Sequence, residues 1–301
     1  MKQLLFWIGV WGLGLVGPSF AQSPGPVVVV SSTILADWAA TLSQGSPIRV
    51  VSLLQPGDDP HVYEPTPQDS RQLAEADLIL THGHHLEPGI LKMVRLSSAP
   101  HVAVGEGIPT VTDGGVPDPH LWGDVSRSQQ MVEVIRQALL NLVSPREQAR
   151  IQENAAAYQG QLQALHEWIP QQIQTIPPAQ RLLVTTHDAF QYYSRAYGIP
   201  VLGTLIGIST EEQPSAQTVA TLVKAIRQAG VPTLFAETTL NPALIATVAR
   251  EARVQVWPTA LYSDSLGSPD SPAGTYVGMM VSNTCAIVTG LGGTCQPWQY
   301  P

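Results

Sequence analysis

The chain has 301 residues, 44% hydrophobic and 13% charged, which is enough to bury the cores of two ordinary domains or one large one. Its formal net charge of −8 argues against nucleic acid as a partner, because phosphate binding needs a basic face. Beyond the N-terminal segment no stretch has the ~20 continuous apolar residues of a membrane-spanning helix.

The N-terminal segment reads as an export signal. Lys2 supplies the positive start, residues 4–16 the apolar run, and Ser19-Phe20-Ala21 a small-x-small cleavage signal. Residues 1–21 are therefore expected to be a cleaved signal peptide; the competing reading is an uncleaved anchor. No cysteine near the cleavage point offers a lipid attachment site, so the mature protein is expected to be soluble and periplasmic.

The apolar residues Val27 to Val30 predict a strand buried on both faces, and Ser32 or Thr33 can cap a helix over 34–42. A second strand is expected over 48–54. It runs into Asp58-Asp59-Pro60-His61-Val62-Tyr63-Glu64-Pro65-Thr66-Pro67, where three prolines stiffen the backbone around one histidine. A rigid loop after a strand is where an α/β protein places a ligand, which makes His61 a candidate site residue. Thr66 or Ser70 can cap the next helix, 71–76. Strands follow over 77–81 and 101–104, with His82-Gly83-His84-His85 between them. Asp118-Pro119-His120-Leu121-Trp122 then repeats the Asp-Pro-His unit.

Two helices come next, over 129–143 and 146–174. The second carries the stripe Ile151, Ala155, Tyr158, Leu162, Leu165 and Ile169, spaced three and four apart. Its length of about 28 residues, roughly 42 Å, exceeds what one lobe needs, so it reads as a strut, with Pro170 a candidate kink. A second series of strands, 182–186, 201–205, 233–237 and 254–257, alternates with helices and ends in a helix over 276–291. The expected fold class is α/β, with two lobes, each a four-stranded parallel sheet flanked by helices, joined by one long rigid helix. The boundaries are 26–145 for the first lobe, 146–177 for the linking helix and 178–301 for the second lobe. Cys285 and Cys295 are the only cysteines, and an even pair in an oxidising compartment suggests a disulfide, two free thiols being the alternative.

The polar residues just past strand ends are His61, His82, His84, His85, His120, His187, Glu237 and Asp264. Imidazoles and a carboxylate are proper ligands for a divalent cation. The stretches Asp59-Pro60-His61-Val62-Tyr63-Glu64-Pro65-Thr66, Asp118-Pro119-His120-Leu121-Trp122, Thr186-His187-Asp188-Ala189-Phe190, Ile208-Ser209-Thr210-Glu211, Phe235-Ala236-Glu237 and Tyr262-Ser263-Asp264-Ser265-Leu266 occur in this order over nearly the whole mature chain. In them the chain resembles the metal-specific solute-binding proteins of ABC importers, the zinc/manganese cluster. The resemblance implies two α/β lobes on one long helix, with a metal ion in the cleft between them. Carried over by position, its ligands are His61 and His120 from the first lobe and His187 and Asp264 from the second.

Manganese-type relatives often carry Glu at the position of His187, and imidazole favours Zn²⁺ where oxygen favours Mn²⁺. The expected cargo is therefore Zn²⁺, with Mn²⁺ the alternative. The expected partner is the importer's inner-membrane permease, and the protein is expected to be a monomer. An exported zinc hydrolase is the competing class, but four protein ligands would fill zinc's tetrahedral shell and no His-Glu-x-x-His helix is present. Glu237 is expected either to orient a ligand histidine or to pair with Arg195, and Glu64 to sit near the site in a structural hydrogen bond. Many zinc-type relatives carry a long histidine-rich loop before the second histidine; here that segment is short and has none. His82, His84 and His85 either stand in for it, or are exposed loop residues, or bond a site residue. Asp59 and Asp118 are expected to cap their loops.

Overall fold

A computed structural model describes residues 25–113 and 115–300. The expected signal peptide, residues 1–21, lies outside the described residues.

The first lobe is built from β1 (Val27–Val30), α1 (Thr33–Ser43), β2 (Arg49–Ser52), α2 (Pro67–Ala74), β3 (Leu78–Thr81), α3 (Pro88–Val94) and β4 (His101–Ala103). The four strands form one sheet in the order β2-β1-β3-β4, parallel throughout, with Val28 level with Val50 on one side and Leu78 on the other. Central position explains the unbroken apolar run of β1: Val28, Val29 and Val30 have no exposed surface. Of the alternative caps, Ser32 serves α1, accepting from the Leu35 N–H at 3.2 Å. Thr66 serves α2, where Asp69 accepts the Thr66 N–H at 2.6 Å to complete a capping box. That cap starts α2 four residues earlier than 71, directly behind the His61 loop. A small hairpin, β5 (Thr112–Asp113) and β6 (Val116–Pro117), which hydropathy did not reveal, leads into the His120 loop.

Two helices follow, α4 (Val125–Leu140) and α5 (Pro145–Ile173). The Glu147 carboxylate accepts from both the N–H and the hydroxyl of Ser144, which fixes the start of α5. Helical conformation continues through Pro170 to Ile173, so α5 has 29 residues and runs about 43 Å. The predicted stripe is its buried face. Ile151, Leu162, Leu165 and Ile169 have no exposed surface, and burial on this scale contributes about 1.5–3 kcal/mol per side chain.

The second lobe contains β7 (Leu183–Thr185), α6 (Gln191–Tyr197), β8 (Val201–Thr204), α7 (Ala216–Ala229), β9 (Thr233–Leu234), α8 (Ala243–Ala252), β10 (Gln255–Val256) and α9 (Tyr276–Gly290). Its strands are shorter than the sequence suggests. β7 pairs with β8 and β9 with β10, all parallel, and the Phe235 N–H joins the two pairs by donating to the Val184 carbonyl at 3.0 Å. The order β8-β7-β9-β10 repeats that of the first lobe.

One apolar core runs through both lobes. It takes in Val28 and Trp38 from the first, Leu162 and Leu165 from α5, and Phe235, Tyr276 and Ile287 from the second. Trp38 meets Tyr276 edge-on with ring centroids 5.0 Å apart. Two smaller clusters lie on the outer faces, one on each sheet. Close-packed side chains transmit displacement rather than absorb it, so the lobes share a stiff joint. Cys285 and Cys295 form a disulfide that ties the C-terminal tail to α9. Replacing both by serine should lower unfolding stability by about 2–3 kcal/mol, given the short loop closed, as read by urea denaturation with the wild-type protein as reference.

Candidate metal centre

The loops that follow the strands converge between the lobes. His61 lies after β2, His120 after β4 and the hairpin, and His187 directly after β7. Asp264 lies beyond a lone parallel bridge between Glu237 and Leu261, which extends the second sheet by one more segment. One ligand atom from each of His61, His120, His187 and Asp264 lies within 4.8 Å of all the others. All four residues are buried: His120 and His187 have no exposed surface, and His61 retains 4%.

The rings face a common point. Nε2 of His61 lies 3.2 Å from Nε2 of His120, and the three ring centroids are 5.3 to 5.9 Å apart. Asp264 turns both oxygens inward, Oδ1 3.4 Å from His120 Nε2 and Oδ2 3.2 Å from His187 Nε2. Yet His187 Nε2 and Asp264 Oδ1 are buried without a hydrogen-bond partner. Buried polar atoms are normally hydrogen-bonded, so two that are not, both turned to the same point, mark it as a place for a ligand. Three nitrogens and a carboxylate around one point suit a divalent transition metal.

Two further carboxylates orient the rings. Asp118 Oδ1 accepts the main-chain N–H of His120 at 2.9 Å and sits 2.8 Å from its ring Nδ1. Glu237 Oε1 accepts the N–H groups of Thr186 and His187, each at 2.8 Å, and its Oε2 pairs with His187 Nδ1. Each ring is thereby held with Nε2 aimed at the centre. Of the two readings of Glu237, the structure has the histidine contact; among the described residues no ion pair joins it to Arg195. In the first Asp-Pro-His loop, Asp59 accepts the main-chain N–H of His61, at 2.9 Å, and makes no contact with its ring. The repeat of Asp two residues before each histidine was the sequence signal for these contacts, but it did not tell that only Asp118 would reach a ring.

Two expectations need correction. Glu64 is exposed and makes no hydrogen bond among the described residues; it lines an outer cavity of about 620 Å³. The carboxylate that its loop buries is Asp69, which the capping box of α2 draws inward. His82 is not an exposed loop residue: it is 1% exposed, its Nε2 is 2.7 Å from the Ser32 hydroxyl, and its ring packs 4.7 Å from Trp122. His85 is exposed, whereas His84 is half-buried with its ring Nε2 3.0 Å from the Gly105 carbonyl; both have left-handed backbone conformation and line a cavity of about 300 Å³ that reaches His61. Trp122 also acts across the cleft. Its indole N–H donates to the Ser263 carbonyl at 2.8 Å and so steadies the Asp264 loop from the other lobe.

Charge within the cluster is divided. Burial pushes His61 down to about 3, so its ring is neutral. Burial opposes charge on His120 too, but the Asp118 and Asp264 carboxylates outweigh it and hold its pKa at about 9. His187 is likewise buried, and Glu237 and Asp264 raise it well above the ordinary imidazole range. Burial alone would lift Asp264; His187 and His120 instead hold it well below the usual carboxylate range.

Residues 28–290 match the family model described as zinc-uptake complex component A, periplasmic. The chain belongs to this family. Its members are solute-binding proteins of ABC importers, so the chain is a metal-binding receptor and not an enzyme. It is 36% identical to the zinc-binding protein TroA of Treponema pallidum, over 88% of this chain and 89% of the relative. It is 33% identical to the manganese-binding lipoprotein MntA of Halalkalibacterium halodurans, over 89% of each chain. The solved structure of the Treponema pallidum periplasmic zinc-binding protein TroA superposes with a TM-score of 0.85, covering 89% of this chain and 99% of that one, at 34% identity. The α/β fold with helix-flanked parallel sheets is thus that of a known metal receptor of the family.

Two outcomes follow for the site. Because His120 and His187 hold protons below their raised pKa values and a metal must displace the Nε2 protons, uptake at pH 7 should release about two protons. Affinity should accordingly fall as the pH falls, by up to about a hundredfold per unit; calorimetry in buffers of different ionisation enthalpy checks the count. Glu237→Gln should weaken metal affinity by about 10- to 100-fold, measured by chelator competition.

Proposed function

We propose that this receptor carries Zn²⁺, held by His61 and His120 of the first lobe and His187 and Asp264 of the second, and hands it to its permease. What supports this most is the donor set: three imidazole nitrogens and one carboxylate, with ligand atoms all within 4.8 Å of one another and buried. That is a full tetrahedral shell for zinc, with Glu237 orienting His187 and Asp118 orienting His120. In this reading residues 26–145 and 178–301 are the two lobes and 146–177 the strut. Residues 1–21 are a cleaved signal peptide that directs the chain to the periplasm. With ligands from both lobes, the bound ion holds the lobes together. Release then needs a displacement that the shared core and α5 keep small.

One observation favours manganese as a second reading. Asp264 presents both oxygens to the cluster, which would add a fifth donor and an oxygen-richer shell. Nitrogen-bearing sites generally bind zinc more tightly than manganese whatever their physiological load, so affinity in vitro does not separate the two. Elemental analysis of the protein purified from its native compartment does: zinc is expected, and manganese without zinc would overturn the zinc reading. In titrations, His61→Ala and His187→Ala should each weaken zinc binding at least about a hundredfold, while His84→Ala should leave it within about twofold. Wild-type curves for the first two would refute the ligand assignment.

A further inference from the structure

The segment Ile208-Ser209-Thr210-Glu211 carries part of the family resemblance but contributes no donor to the cluster. Thr210 is nevertheless 8% exposed, and its hydroxyl crosses the cleft to donate to Asp59 Oδ2 at 2.6 Å. The other oxygen of the same carboxylate, Oδ1, accepts the main-chain N–H of His61. One side chain of the first lobe thus links the His61 backbone to the second lobe.

The three histidines are not held alike. The ring Nδ1 atoms of His120 and His187 each meet a carboxylate of their own lobe, Asp118 and Glu237. Among the described residues none hydrogen-bonds Nδ1 of His61. An imidazole without a partner on its second nitrogen depends on its backbone for its aim. That backbone rests on Asp59, and Asp59 rests on Thr210. The far end of the bridge is anchored beside His187: the N–H groups of Leu205 and Ile206 donate to the Thr186 carbonyl at 3.0 and 2.9 Å, and the Asp188 N–H to the Gly207 carbonyl at 3.2 Å. Ser265 also grips the His61 loop from the second lobe, accepting the Gly57 N–H at 2.9 Å, but this contact lies four residues before the histidine. Among the described residues, only the Thr210 contact reaches the carboxylate that accepts the main-chain N–H of His61.

We propose that Thr210 is a positioning residue that makes His61 the ligand most dependent on the lobes being together. Drawing the 205–211 segment away from the first lobe breaks the bond to Asp59, frees the His61 backbone and loosens one of the four ligands. A hydrogen bond is lost over about 1 Å of separation, so the small displacement that a stiff joint permits is enough to trigger release. This rests on the assignment of His61 as a ligand.

The test is zinc dissociation from the full mature protein, followed by stopped-flow with an excess of a chromogenic chelator. Thr210→Val, which keeps the shape and removes the hydroxyl, should raise the dissociation rate about tenfold with little change in the association rate. Thr210→Ser restores the hydroxyl and should return the rate to within about twofold of wild type. The unfolding midpoint of the metal-free protein should be the same for all three. A wild-type dissociation rate for Thr210→Val, or a raised rate that serine does not rescue, overturns the proposal while His61→Ala still abolishes binding. If His61→Ala instead binds zinc like the wild type, the ligand assignment fails and the proposal falls with it.

Discussion

The centre depends on pairing between buried imidazoles and buried carboxylates. Asp118 and Glu237 each take a ring Nδ1 and an N–H of the same histidine, so the ring and its backbone are fixed by one group. Without these contacts the imidazoles would be free to turn about their side-chain bonds, and four donors would rarely meet at one point. The same carboxylates supply negative charge that a buried cation needs. They also raise His120 and His187 above the ordinary imidazole range, so either protons or a divalent ion can balance their charge.

The fold makes this pairing possible by placing loops, not by supplying surface. Parallel strands send all their C-terminal ends toward one edge, so the chain segments after β2, β4 and β7 open into the same crevice. The two lobes repeat one strand order and meet across the crevice on a shared core threaded by α5. Receptors that close around a ligand need two bodies; receptors that must not open far need a stiff joint. A buried helical stripe, continued from one lobe to the other, supplies both.

Much of this was legible in the sequence because it is local. Apolar runs bounded by turn residues placed the eight sheet strands, and the three-and-four spacing of the α5 stripe gave its buried face residue by residue. The two Asp-Pro-His loops singled out His61 and His120, since a proline-stiffened loop after a strand is where an α/β protein places a ligand. The hairpin β5–β6 escaped notice because four residues carry no period, and β7 ends at Thr185, one residue before its expected end, where the chain turns to bring His187 into the crevice.

What the sequence determined by itself was the inventory and the order: which donor types exist, on which loops, in which lobe. Tertiary structure alone decided the partners. Asp59 and Asp118 have the same local sequence, yet only Asp118 reaches a ring, because Asp59 is turned to Thr210 of the other lobe 151 positions away. Glu64 and Glu237 were both candidates, and only Glu237, 50 positions from His187, lies at its ring. His82 reads like its neighbours His84 and His85 and is buried where they are not, because β3 ends beneath Ser32 and Trp122. Residue type and spacing set what a side chain can do within a turn or two of backbone. Which group it meets across a cleft follows from how the sheets and α5 pack, and only the folded chain expresses that.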